Sequence, residues 1–285
     1  MVVRAYKLNS FTNSIKGGNP AAVVLNAEDL SDNQMQNLAA MIGYSETAFV
    51  SKSQKADFRV RFFTPCAEVD LCGHATIAAF SLMHQRGILP EGEYSQETNA
   101  GILRIKIGRS TVFMEQAMPR FFEKIDGDEL LCCLGIEKDG LDNELPIQAV
   151  STGLKDLLVP LKSEQVLANL KPNMGCIEDI SKKYDAVGLH VFALSQDAGK
   201  TAVCRNFAPL YGIPEESATG TSNGALACYL QKYGKIGEHD KEILFQQGIY
   251  MNKPSAIKAK LTVQDGKIAE VWVGGEAILL EESTY

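Results

Sequence analysis

The sequence predicts a protein of two matching lobes, each a sheet wrapped around one buried helix. Two observations carry this expectation. A strand, loop and helix segment occurs twice along the 285 residues, and the helical part of each copy is apolar on nearly every face. The length suits about two domains of ordinary size. A composition of 45% hydrophobic and 22% charged residues suits a globular chain with a substantial core.

The first copy runs Arg59-Val60-Arg61-Phe62-Phe63-Thr64-Pro65, then an acidic loop, then Cys72-Gly73-His74-Ala75-Thr76-Ile77-Ala78-Ala79-Phe80. The second runs Val203-Cys204-Arg205-Asn206-Phe207-Ala208-Pro209, then an acidic loop, then Thr219-Gly220-Thr221-Ser222-Asn223-Gly224-Ala225-Leu226-Ala227. Alternation of Phe58, Val60 and Phe62 predicts a half-buried strand. Pro65 and Pro209 stop the strands, because proline cannot donate to a ladder. Residues 74–86 and 221–233 predict helices ending near Gly87 and Gly234. A helix apolar on nearly all faces is a buried one. Two copies at this spacing are no solenoid array; they predict lobes of residues 1–115 with 276–285, and 116–275, related by an approximate two-fold. That relation brings the two helix N-termini toward one cleft, where unpaired N–H groups and positive dipole ends favour a carboxylate.

The remaining elements follow in order. Val23-Val24-Leu25 and Ala48-Phe49-Val50 read as short strands, and Ser31 N-caps a helix to Met41. Residues 102–107 and 111–115 form a hairpin, and 258–263 with 267–273 form another through Asp265-Gly266.

A net charge of −7 argues against a nucleic-acid partner, which needs a basic surface. It leaves room for a small acidic substrate, because local backbone dipoles can outweigh the global charge. Residues 1–7 hold no long apolar stretch of a secretory signal, and no run approaches the ~20 apolar residues of a membrane span. A soluble, cytoplasmic protein without a membrane partner is expected. The seven cysteines, Cys66, Cys72, Cys132, Cys133, Cys176, Cys204 and Cys228, include no Cys-x-x-Cys pair and read as reduced thiols. His84, His190 and His239 show no zinc spacing with them, so no metal is expected. Residues 220–224 lack the ending of a phosphate loop, and there is no Gly-x-Ser-x-Gly elbow.

Gly18-Asn19-Pro20-Ala21-Ala22-Val23, Ser45-Glu46-Thr47-Ala48-Phe49-Val50, Phe62-Phe63-Thr64-Pro65, Cys72-Gly73-His74-Ala75-Thr76 and Ala218-Thr219-Gly220, in that order, resemble the phenazine-biosynthesis PhzF-like proteins. The resemblance covers nearly the whole chain. It implies the α+β diaminopimelate-epimerase fold, with a mostly antiparallel sheet around a central helix in each lobe, and a homodimer. It further implies that Glu46 is the acid/base residue, that His74 binds substrate and relays a proton, and that Glu216 is the acidic residue before the second helix. The family enzyme whose chemistry is best understood carries aspartate at the position of Glu216 and serine at that of Thr221. Related amino-acid epimerases use a cysteine at each helix start. Here Cys72 stands at the first and Thr219 at the second, and a hydroxyl is far too weak an acid to replace a thiolate.

Residue chemistry adds to this. Glu46 lies in a locally apolar stretch, and burial there would raise its carboxyl toward neutrality. Gly73 and Gly220 let a substrate approach the backbone. A helix N-terminus would favour the Cys72 thiolate, although a buried cysteine is often a small hydrophobe; Cys72 reads as site lining. Asp70, Glu68 and Glu215 read as solvated loop charges. The expected protein is a cofactor-independent isomerase in which Glu46 moves a proton on a small acidic metabolite, with Cys72, Gly73, His74, Glu216, Gly220 and Thr221 as contacts. Two alternatives stay open: a catalytically silent small-molecule binding protein, and a one-cysteine epimerase or racemase using Cys72.

Overall fold

The computed structural model describes residues 2–237 and 243–285; His239 lies outside the described residues. The chain forms two compact units, residues 1–115 with 274–285, and residues 116–273. Each holds a mixed sheet and a few helices.

The first unit contains β1 (Arg4–Ser10), β2 (Asn19–Val24), α1 (Asp32–Ile42), β3 (Thr47–Lys52), β4 (Phe58–Phe63), β5 (Glu68–Val69), α2 (Gly73–Gln85), β6 (Gly92–Thr98), β7 (Gly101–Ile107) and β8 (Val112–Glu115). The second contains β9 (Arg120–Lys124), α3 (Asp128–Leu134), β10 (Gln148–Ser151), β11 (Lys155–Leu161), α4 (Glu164–Ala168), α5 (Met174–Lys183), β12 (Leu189–Leu194), β13 (Ala202–Ala208), β14 (Ile213–Glu216), α6 (Gly220–Lys232), β15 (Ile243–Gln247) and β16 (Ser255–Gln264). The chain returns to the first unit near the end of β17 (Lys267–Gly275) and finishes with β18 (Ala277–Thr284).

The ladder of one unit is repeated in the other. β1 pairs antiparallel with β18 and β2; β2 runs parallel to β3, and β3 antiparallel to β4. The far edge of β4 is shared by β5, antiparallel at Phe62 and Phe63, and by β6, parallel at Phe58 and Arg59. In the second unit β10 pairs antiparallel with β9 and β11; β11 runs parallel to β12, and β12 antiparallel to β13. The far edge of β13 is shared by antiparallel β14 and parallel β15. Most pairings in each unit are thus antiparallel.

Within its own sheet each unit buries one helix. α2 packs on β1, β2, β3, β7, β8 and β18, and every residue from His74 to Met83 is buried. α6 packs on β10, β11 and β16, and is buried from Ser222 to Leu230. Both helices stop the same way. Gly87 and Gly234 take positive φ (71° and 65°), and the N–H groups of Ile88 and Lys235 reach back to the carbonyls of Met83 and Leu230. This terminator needs a left-handed residue that glycine supplies without strain. α1 starts on a full capping box between Ser31 and Gln34 and ends at left-handed Gly43. Asp265 and Gly266 both have positive φ, as a two-residue hairpin turn requires.

The reading of all cysteines as reduced thiols is corrected. α3 and α5 lie side by side, and Cys133 is bonded to Cys176. The sequence conceals this because the partners lie 43 residues apart and only the packing of α3 on α5 brings them together. Cys66, Cys72, Cys132, Cys204 and Cys228 are free. Among the described residues no helix is long and apolar enough to cross a membrane.

Candidate active site

At the start of α2 the first unit collects three reactive side chains. The parallel β2–β3 ladder fixes the first: the Ala22 N–H bonds the Glu46 carbonyl at 3.0 Å, which holds Glu46 at the mouth of β3. The helix start fixes the other two. Cys72 is the extended N-cap residue of α2, and His74 is the helix's second residue. The Ser10 hydroxyl at the end of β1 donates to the His74 carbonyl at 2.6 Å. Gly18, just before β2, packs against the end of β1, where a side chain on it would meet the Ser10 carbonyl at 2.5 Å.

These placements bring His74 Nε2 to 3.0 Å from Glu46 Oε2, with side chains only 9% and 19% exposed. Cys72 Sγ lies 3.4 Å from His74 Nδ1, and the Ser45 hydroxyl 3.5 Å from Nε2. Burial pushes the Glu46 carboxyl up, but the close N–H and positive charge of His74, helped by Ser45 and Cys72, outweigh it and hold the carboxyl below its ordinary range. The expected raised carboxyl is therefore corrected: an imidazolium at 3.0 Å wins over desolvation. Burial disfavours charge on His74, yet Cys72 and Glu46 on its two sides keep its proton well above the usual range. For Cys72, burial and the Glu46 charge outweigh His74 and push the thiol up. The pull of the helix N-terminus toward a Cys72 thiolate is therefore outweighed by burial, in keeping with a buried thiol that lines the site. The site rests as carboxylate, imidazolium and thiol. An oxygen, a sulfur and a nitrogen of the three lie within 4.8 Å of one another, a spacing that could also hold a metal ion; such an ion would have to displace two held protons.

Gly73 is not required by packing. A Cβ there would make an ordinary 3.5 Å contact with Met114 Cε. Neither α2 nor α6 carries a side-chain hydrogen bond from its N-cap residue.

The second unit builds the start of α6 from hydrogen bonds. Thr219 is its N-cap residue and donates its hydroxyl to Glu216 Oε2 at 2.6 Å. The Gln247 amide donates to the Glu216 carbonyl and to Thr219 Oγ1, while its oxygen accepts from the Thr219 N–H and from Asn223. Glu216, Gly220 and Thr221 are half-buried around this turn. Beneath it runs a chain that the sequence did not disclose. Ser222 donates to buried Asp156 at 2.7 Å and accepts from the Asn206 amide, which also donates to His190 Nδ1. Burial pushes the Asp156 carboxyl up to about 7, Ser222 opposing and the charge of Glu216 adding to the rise. Burial lowers His190 to about 3, so its ring is neutral. Asp156 gave no signal because it stands outside both copies of the repeat.

Two loop carboxylates are corrected as well. Glu68 accepts both guanidinium arms of Arg61 at 2.7 and 2.8 Å, and Glu215 those of Arg205 at 2.8 Å each. Asp70 is exposed, as expected.

The phenazine biosynthesis-like protein family matches residues 8–283. An uncharacterized isomerase of Clostridium acetobutylicum is 36% identical over 98% of this chain and 96% of its own. The trans-2,3-dihydro-3-hydroxyanthranilate isomerase of Pseudomonas chlororaphis is 28% identical over 97% of both chains. The crystal structure of a PhzF-family protein from Bacillus anthracis superposes with a TM-score of 0.92 at 32% identity, covering 100% of this chain and 99% of that one. With a family match across nearly its whole length, this chain belongs to the phenazine biosynthesis-like family of isomerases.

Proposed function

We propose that this protein is a cofactor-independent isomerase that shifts a proton on a small carboxylate-bearing metabolite, with Glu46 as the base. One observation carries the reading: a buried carboxylate held ionised 3.0 Å from a buried imidazolium at a helix start with no side-chain cap. Paired groups whose environments push their protonation apart are the usual mark of an acid and a base working together. The Glu46 carboxylate takes a proton from carbon next to a carbonyl or conjugated system. The electron pair moves into that system, and the new charge is stabilised by the His74 imidazolium and the N–H groups of the α2 start. The proton then returns from the Glu46 carboxyl to a different carbon, so the substrate is isomerised with no net gain or loss. Glu216, Gly220 and Thr221 serve as substrate contacts in this reading, supported by the like construction of the two helix starts. The neutral, buried Cys72 disfavours the one-cysteine epimerase.

The test is solvent exchange. Trans-2,3-dihydro-3-hydroxyanthranilate and small carboxylates that raise the melting temperature are incubated in deuterium oxide, and label entering carbon is followed by NMR. Glu46→Gln should lose about 10²–10⁴-fold of the exchange rate while ligand still raises its melting temperature. Exchange retained in that variant would remove Glu46 from the role of base. Bound ligand that never exchanges in the wild type would instead favour a silent binding protein.

A further inference from the structure

The three cysteines gathered by α3 and α5 lie in the second unit and take no part in the chemistry above. Cys133 points into that unit's hydrophobic core and is 0% exposed, whereas its neighbour Cys132 is exposed. Cys176 is half-buried in the first turn of α5. Its Sγ is bonded to Cys133 and lies 3.6 Å from the Sγ of Cys132. One sulfur thus has two candidate partners, adjacent in sequence.

We propose that Cys132, Cys133 and Cys176 form a thiol–disulfide exchange site for small aliphatic thiols and disulfides, with Cys132 as its solvent-facing sulfur. In the internal step the Cys132 thiolate attacks Cys176 Sγ. The Cys132–Cys176 bond forms, the Cys133–Cys176 bond breaks, and Cys133 leaves as a thiolate that takes up a proton. No oxidant is consumed. A small thiol from solvent then attacks Cys132 and gives a mixed disulfide, with Cys176 leaving. A second small thiol releases Cys132 as thiol and departs as the small disulfide. Two small thiols are oxidised and one protein disulfide becomes two thiols.

The helices need not move for this exchange. Lys183 pairs with Glu129 at 2.6 Å and the Tyr184 hydroxyl donates to the same carboxylate, which ties the end of α5 to α3, about one turn from the sulfurs along α3 and about two along α5. The Asn173 and Lys171 N–H groups bond the carbonyls of Cys133 and Leu134. The apposition therefore does not depend on which sulfur holds Cys176. Position in the first turn of α5, whose N-cap Asn173 bonds the Cys176 N–H, favours a developing thiolate on Cys176 when it is the leaving group. Cys133 is sealed in the core and Cys176 is half-buried, so the exposed Cys132 is the most accessible of the three sulfurs to a thiol in solvent.

The experiment uses the full-length protein oxidised with oxidised glutathione, then reduced with glutathione. Samples are quenched in acid, alkylated, and mapped by proteolysis and mass spectrometry. Cys132→Ser should retain the Cys133–Cys176 bond and lose it to glutathione about tenfold more slowly than wild type. Cys133→Ser, oxidised in the same way, should yield a Cys132–Cys176 bond. Reduction of Cys132→Ser at the wild-type rate would overturn the route through Cys132. Separate alkylation of Cys132 and Cys176 in Cys133→Ser would overturn the shared-sulfur geometry.

Discussion

Position 46 holds a carboxylate pulled in opposite directions by its burial and by its partner. With His74 present the partner wins, and the pair stays charged from below the ordinary carboxylate range to above the ordinary imidazole range. The sign of its stability contribution follows. The Glu46 part is present above the ordinary value of 4.5 and is lost as pH falls through the lowered folded value; the His74 part is present below 6.5 and is lost as pH rises through the raised one. Removing the imidazolium leaves desolvation, which raises a carboxyl, opposed only by the weaker hydrogen bonds of Ser45 and Cys72. His74→Asn should therefore move the acid limb of the deuterium-exchange profile to higher pH, beyond any loss of rate. An acid limb that stays in place would mean His74 does not set the ionisation of Glu46. The sequence put Glu46, Cys72 and His74 forward as candidates, but not their charges. Those depend on a 3.0 Å approach between residues 28 apart, and local apolarity around Phe49 and Val50 pointed to the opposite shift.

At the scale of elements, the repeated Arg-x-Phe motif is a structural brace. In each copy the arginine and phenylalanine share one face of a strand, with the guanidinium 5.1 Å from the Phe63 ring centroid in β4 and 5.0 Å from that of Phe207 in β13. Each guanidinium then clamps a glutamate of the short strand leading to the buried helix, Glu68 of β5 or Glu215 of β14. The repeat disclosed both strands and both helices because their patterning is local: alternating phenylalanines, a proline stop, an alanine-rich run and a glycine. It did not disclose the clamp, because the arginine-to-glutamate spacing is 7 residues in one copy and 10 in the other. The Arg205 and Glu215 side chains are 10% and 17% exposed, so this is a partly desolvated pair. Glu215→Gln should destabilise the protein by about 1.5–3 kcal/mol in urea unfolding, the range for hydrogen bonds to a charged group. Arg205→Met in the Glu215→Gln background should add less than it does alone, because partners in contact are not additive. Full additivity would show that the two side chains act independently.

For the whole molecule, the pH dependence of stability carries the mark of Asp156. Its side chain is buried in β11 and accepts one close hydrogen bond, from Ser222, while the chain as a whole already carries a charge of −7. Burial, reinforced by the charge of Glu216, places its proton loss near 7 in the folded state against an ordinary 3.8. Between those values the folded protein binds a proton that the unfolded chain does not. Unfolding free energy contributed by this group therefore falls as pH rises through the window and levels off above about 7. At about 1.4 kcal/mol per unit, the full span is on the order of 4 kcal/mol. The clamped carboxylates run the other way: Glu68 and Asp32, both lowered by Arg61, add stability as pH rises from acid. A single wild-type curve would mix the two trends. The difference between Asp156→Asn and wild type isolates one of them, because an amide keeps the shape and an acceptor for Ser222 and cannot ionise. Urea unfolding at pH 5 and pH 8 should show the variant gaining about 2–4 kcal/mol on wild type between the two conditions. An unchanged difference would mean that Asp156 is ionised at both pH values in the folded protein, and that the chain through Ser222, Asn206 and His190 holds a carboxylate and not a carboxylic acid.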